Sequence, residues 1–142
     1  MKKILLLFAI GMVSTIVFSQ QSPTMRNNPT FSKGDVVCST TGDLINDGEL
    51  SISNTPYDEH IVGVYSGVTS VAVKRIFLTE GIADVKFDHS SGDVKKGDWV
   101  TSGSSGKAIK ASQNGFVLGV ALESSEGKDM VKIRVMIQYV KQ

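Results

Sequence analysis

From residue 33 onward, apolar residues come in short runs rich in Val and Ile, broken by Gly, Asp, Asn or Ser every 8–12 residues. That spacing predicts many short strands. No window longer than ten residues keeps the i, i+3, i+4, i+7 spacing of an amphipathic helix. The runs predict strands at 35–39, 61–66, 71–78, 82–87, 99–101, 107–111, 116–122 and 131–139. The last is the clearest. Val131, Ile133, Val135, Ile137 and Tyr139 alternate with Lys132, Arg134, Met136 and Gln138, so one face is apolar and the other mostly polar. The expectation is an all-β domain, a small barrel or sandwich with almost no helix.

Part of the pattern occurs twice. Residues 33–39 read KGDVVCS and residues 96–102 read KGDWVTS. Each is followed by a loop, a Gly-centred apolar run (IVGVYS, VLGVALES) and a long alternating strand. Gly34 reaches Gly63 in 29 residues and Gly97 reaches Gly119 in 22, which leaves about seven extra residues in the first loop, INDGELSISNTPYDEH. Gly-Asp before a β-branched run suits a tight turn entering a strand, because Gly accepts positive φ and Asp bonds to nearby backbone amides. Gly34, Asp35, Gly97 and Asp98 are therefore expected as structural turns. Gly63 and Gly119, each inside an apolar run, are expected at a bulge or a close backbone approach. The expected domain, 33–142, holds two pseudo-repeated β units at 33–78 and 96–140.

The ordered set of these motifs resembles a recurrent all-β module of phage and bacterial tail-fibre-like surface proteins. The matching residues are Gly34-Asp35-Val36-Val37, Pro56-Tyr57-Asp58 followed by 61–66, Gly97 through Ser102, Gly106 through Ala111, and Leu118 through Glu123. The resemblance spans about 33–140. More loosely, the chain is similar to small phage capsid-decoration proteins built on a duplicated β unit. These resemblances imply a β-clip-like fold and a non-enzymatic structural module, often a homotrimer.

The N-terminus adds a destination. Lys2 and Lys3 precede an apolar run from Ile4 to about Phe18, then small and polar residues, which is the layout of a cleavable secretory signal peptide. Val17 and Ser19 suit a cleavage site after Ser19. Residues 20–32, with two prolines among small polar residues, read as a flexible arm. The expected product is secreted, periplasmic or held at the cell surface, with no membrane span. Loss of Lys2 and Lys3 takes the formal net charge from +1 to −1, and the remaining charges are mixed, so nothing points to nucleic acid. Cys38 is the single cysteine, so no intrachain disulfide forms.

Candidate chemistry is sparse. Cys38 with His60 or His89 as base would make a nucleophile or an autoprocessing centre, yet Cys38 occupies the slot of Thr101 in the second unit, a place for a small strand residue. Asp84, Asp88, His89 and Asp93 fall within ten residues, but their spacing matches no calcium loop. No catalytic residue, metal or cofactor is expected. Tyr57, Asp58 and Trp99 are the candidate ligand or interface residues, because aromatic side chains anchor interfaces and loops on β scaffolds carry recognition. The function expected is a non-catalytic structural or binding module that self-associates. The alternative is a monomeric module binding a glycan or other ligand through the 46–60 loop.

Overall fold

The computed structural model describes residues 15–18, 30–39, 50–68 and 75–142. These residues form ten strands: β1 (Thr15–Phe18), β2 (Val36–Ser39), β3 (Leu50–Ile52), β4 (Ile61–Val68), β5 (Arg75–Leu78), β6 (Glu80–Lys86), β7 (Trp99–Ser102), β8 (Ala108–Lys110), β9 (Gly115–Ala121) and β10 (Met130–Val140). A 3₁₀ turn at His89–Ser91 is the one helical element among them. Two open antiparallel sheets result, ordered β1-β5-β4-β2-β3 and β6-β10-β9-β7-β8. The fold is a sandwich; neither sheet closes into a barrel. Among the described residues no helix is long and apolar enough to cross a membrane.

Two strands fall outside the expected set. β3 lies in the segment read as a loop and pairs with β2, Val37 opposite Ile52 and Ser39 opposite Leu50. Three residues are too few to display a period. β1 lies in the stretch read as a leader and pairs with β5 from Thr15–Leu78 to Phe18–Arg75. Residues 71–74 of the expected third segment, 71–78, lie outside the described residues.

The main core fills the space between the sheets. Sheet 1 contributes Val36, Cys38, Ile61 and Val64; sheet 2 contributes Val85, Val100, Leu118, Val131, Ile133 and Val135 among others, all buried. A second cluster covers the far side of sheet 1, where Phe31, Tyr65 and Phe77 meet with ring centroids 5.4–5.5 Å apart over Val37. β2 therefore buries both its faces, and all four of its residues are inaccessible. That is why Val36, Val37 and Cys38 read as a continuous apolar run rather than an alternation.

The two KGD segments form the same turn. Gly34 and Gly97 take φ of +93° and +97°. The Asp35 amide donates to the Ser32 carbonyl and the Ser32 amide to Asp35 Oδ2; Asp98 and Lys95 exchange the same pair of bonds. Gly34 N–H then reaches Tyr65 O, as Gly97 N–H reaches Ala121 O. Gly63 and Gly119 prove to be close approaches, with no positive φ. A Cβ on Gly63 would lie 2.1 Å from the Leu78 carbonyl oxygen, and one on Gly119 2.0 Å from that of Arg134. No side chain fits either place.

The alternation expected along the last strand breaks near its end. Val131, Ile133 and Val135 are buried, but the register slips by one residue between Val135 and Gln138, where β10 bulges against β9. Tyr139, expected on the apolar face, is 54% exposed. A bulge inserts one unpaired residue and so changes which face later side chains occupy.

Candidate functional site: an aromatic and acidic groove

The turn after β3 and the end of sheet 2 formed by the start of β9 and the close of β10 enclose an open groove of about 500 Å³. Thr55, Tyr57, Asp58, Glu59 and His60 form one wall, from sheet 1. Asn114, Gly115, Phe116 and Tyr139 form the other, from sheet 2. Phe116 and Tyr139 are directly opposed across the strands and meet edge to face at 5.4 Å.

Tyr57 ties the walls together. Its backbone is left-handed, with φ +56°, one of two non-glycine residues so placed among those described. The phenol oxygen accepts from the amides of Ser112, at 2.8 Å, and Gln113, at 3.2 Å. The ring lies where a Cβ on Gly115 would be, 2.6 Å from it, so Gly115 is the one residue that fits beneath it. Tyr57 is half-buried, a structural bolt whose ring also lines the groove.

Asp58 sits at the junction of the groove and the core. Its amide donates to Ser102 Oγ at 3.0 Å, and that hydroxyl donates to the Thr55 carbonyl at 2.7 Å. Its carboxylate accepts the His60 amide at 2.8 Å. Burial pushes the Cys38 thiol up to about 12, and the Asp58 carboxylate, which lies beside it and accepts its hydrogen bond, adds to the shift. A thiol so raised stays protonated at neutral pH, whereas a nucleophilic cysteine is a thiolate. Its acidic neighbour also works against any such activation. His89 is engaged elsewhere.

The four candidate ligands of 84–93 do not converge on one point; of them only His89 and Asp93 meet. Asp84 meets Lys132 Nζ at 3.3 Å, and Asp88 caps the 3₁₀ turn by accepting from Ser90 N. His89 Nδ1 faces the Asp93 carboxylate and Nε2 faces the Lys128 carbonyl at 2.8 Å. Two acceptors favour the imidazolium, so the Asp93 hydrogen bond first and the Lys128 carbonyl second raise the His89 pKa. The same bond, with a second from Ser125, lowers that of Asp93. Among the described residues no group of three His, Cys, Asp or Glu side chains could hold a metal.

Trp99 lies away from the groove. It is half-buried on the outer face of sheet 2, opposite Val120. Of the sequence candidates, then, the groove takes Tyr57 and Asp58 and leaves out Trp99. The sequence reading missed Phe116, Tyr139 and Asn114; the signal for Tyr139 is a bulge, which hydrophobic periodicity does not register. No protein-family model and no curated protein matches the chain.

Proposed function

We propose that this chain is a non-catalytic binding module that holds a neutral polyhydroxylated ligand such as a glycan in the Tyr57–Tyr139 groove. The observation that carries the reading is the pairing, in one open groove, of ring surfaces from Phe116 and Tyr139 with hydrogen-bonding side chains from Asn114, Glu59 and His60. Apolar faces of sugar rings pack on aromatic rings, and their hydroxyls need planar polar partners placed around them. The carboxylates of Asp58 and Glu59 work against anionic ligands. The protonated thiol of Cys38 supports a role without nucleophilic catalysis.

The test is binding of the purified protein to an array of neutral oligosaccharides, followed by titration of the best ligand against Tyr139→Ala and Asn114→Ala. Each is expected to weaken binding about tenfold, near 1.4 kcal/mol. No binding on the array, or equal binding by both variants, would remove this reading.

A second reading is self-association as a surface or fibre-like building block, of the tail-fibre type that the motif resemblance implies. Two observations favour it. The strand order of sheet 2 is that of sheet 1 with every number advanced by five, from which we infer two copies of one β unit. And sheet 2 leaves large residues, Ile82 and Met136, 53% and 39% exposed on its outer side. Light scattering at micromolar concentration tests it: a homotrimer is expected, and monomer alone contradicts it.

A further inference from the structure

Corresponding rows of side chains cross the two sheets. In sheet 1, Val36, Val64 and Leu78 stand directly opposite one another on β2, β4 and β5. In sheet 2 the same places on β7, β9 and β10 hold Trp99, Val120 and Arg134, and β6 extends the row with Ile82. The first row is inside. Val36 and Val64 are 0% and 1% exposed, and Leu78 packs on the core between the sheets. The second row is outside, with Ile82 53% exposed, Arg134 exposed, and Trp99 and Val120 half-buried.

The neighbouring positions show the reverse. Val100 of sheet 2 lies in the core between the sheets, whereas its counterpart Val37 faces the aromatic cluster on the far side of sheet 1. The sheets are thus stacked in the same sense, the row face of one on the opposite face of the next. Such a stack is heterologous and leaves one row face unused.

We propose that the outer face of sheet 2, centred on Trp99, Val120, Arg134 and Ile82, is the interface with a second copy of this chain. The inference rests on the self-association reading. Within this fold the partner of such a row is the opposite face of another sheet of the same kind, and a second copy presents the margin of one on the far side of its sheet 1, at Leu50 and Ile52, half-buried beside the aromatic cluster that Phe31 already covers. Head-to-tail use of the two faces generates a closed ring when the rotation closes. The composition fits an interface centre, since Trp, Met, Ile and Arg pack there and Trp and Arg dominate binding energy. Arg134 in the place of Leu78 brings a charge into the row. Glu80 on one flank and the Asp84–Lys132 ion pair on the other give the face both signs around Arg134.

The experiment is light scattering and sedimentation of the intact protein, wild type against Ile82→Lys and Trp99→Ser, with Lys96→Glu at the exposed turn as control. Circular dichroism checks that each variant is folded; Ile82, already more than half exposed, is the variant least able to disturb folding. Trp99 is the single tryptophan, so its fluorescence reports the interface directly. The expected result is a wild-type assembly whose emission shifts to the red on dilution, weakened at least tenfold by Ile82→Lys and Trp99→Ser and unchanged by Lys96→Glu. A wild-type assembly that Ile82→Lys leaves intact overturns this interface and spares the self-association reading. A wild type that stays monomeric overturns both.

Discussion

The turn at 33–35 and the turn at 96–98 have the same residues, the same glycine conformation and the same hydrogen bonds, yet different surroundings. A Cβ on Gly97 would touch nothing within 4 Å, while one on Gly34 would strike Met130 at 2.5 Å. Lys86 N–H reaches the Gly34 carbonyl, and Lys86 Nζ reaches Asp35 Oδ1 at 2.6 Å. The Asp35 side chain is 6% exposed, and Gly106 of the β7–β8 hairpin packs against it. The Asp98 carboxylate accepts from the Lys95 amide of its own turn, while its carbonyl takes the Ala121 amide as that of Asp35 takes the Tyr65 amide. Local sequence makes the turn; tertiary contact decides whether it becomes a clasp between sheets or a surface feature.

The largest effect should fall where the two regions agree. Gly63→Ala and Gly119→Ala each force a methyl group into a backbone carbonyl, so each should cost about 3 kcal/mol or more in urea denaturation. A loss below about 1 kcal/mol at either site would mean that the strands can separate there.

The next effect should distinguish the turns. Asp35→Ala strands a half-buried lysine and the Ser32 amide, and should cost about 2–3 kcal/mol, less than a fully buried pair because Lys86 is 31% exposed. Asp98→Ala removes a turn bond at the surface, about 1 kcal/mol. Equal losses would show that the clasp adds nothing.

The rows should differ similarly but less. Val36→Ala opens space in the core and should lower stability by about 2 kcal/mol, whereas Trp99→Ala should change that of the single chain by under about 1 kcal/mol. The reverse order would put Trp99 in the core.

The smallest effect concerns the His89 turn. Because the His89 pKa is raised, its contribution is fully present below the ordinary value of 6.5 and is lost as pH rises through the raised one. Because that of Asp93 is lowered, its contribution is present above the ordinary 3.8 and is lost as pH falls through the lowered one. The turn should be tightest between those two values, which NMR titration of His89 and exchange of the Val94 amide would follow. Titration of His89 at or below 6.5 would contradict the pairing.

Much of the architecture was legible in the chain. Residues Val131 to Val135 alternate and are alternately buried, and the paired KGD segments mark real turns. Which face of a strand meets the core is set by neighbours distant in sequence, so Val36 and Trp99 look equivalent on paper and lie on opposite sides of their sheets. The groove was half legible: Tyr57 and Asp58 stand out as a loop motif, but Phe116 and Tyr139 read as ordinary strand residues until a bulge turns one of them outward. β3 was hidden by brevity.

The bolt at Tyr57 bears on how a ligand would arrive. The groove walls belong to different sheets, and Tyr57 fixes their separation through the hydrogen bonds its phenol oxygen accepts from two amides and the glycine beneath its ring. A site preorganised in this way has little ordering entropy to lose on binding. Its association rate should then change little from one ligand to another, and selectivity would reside in how long each stays.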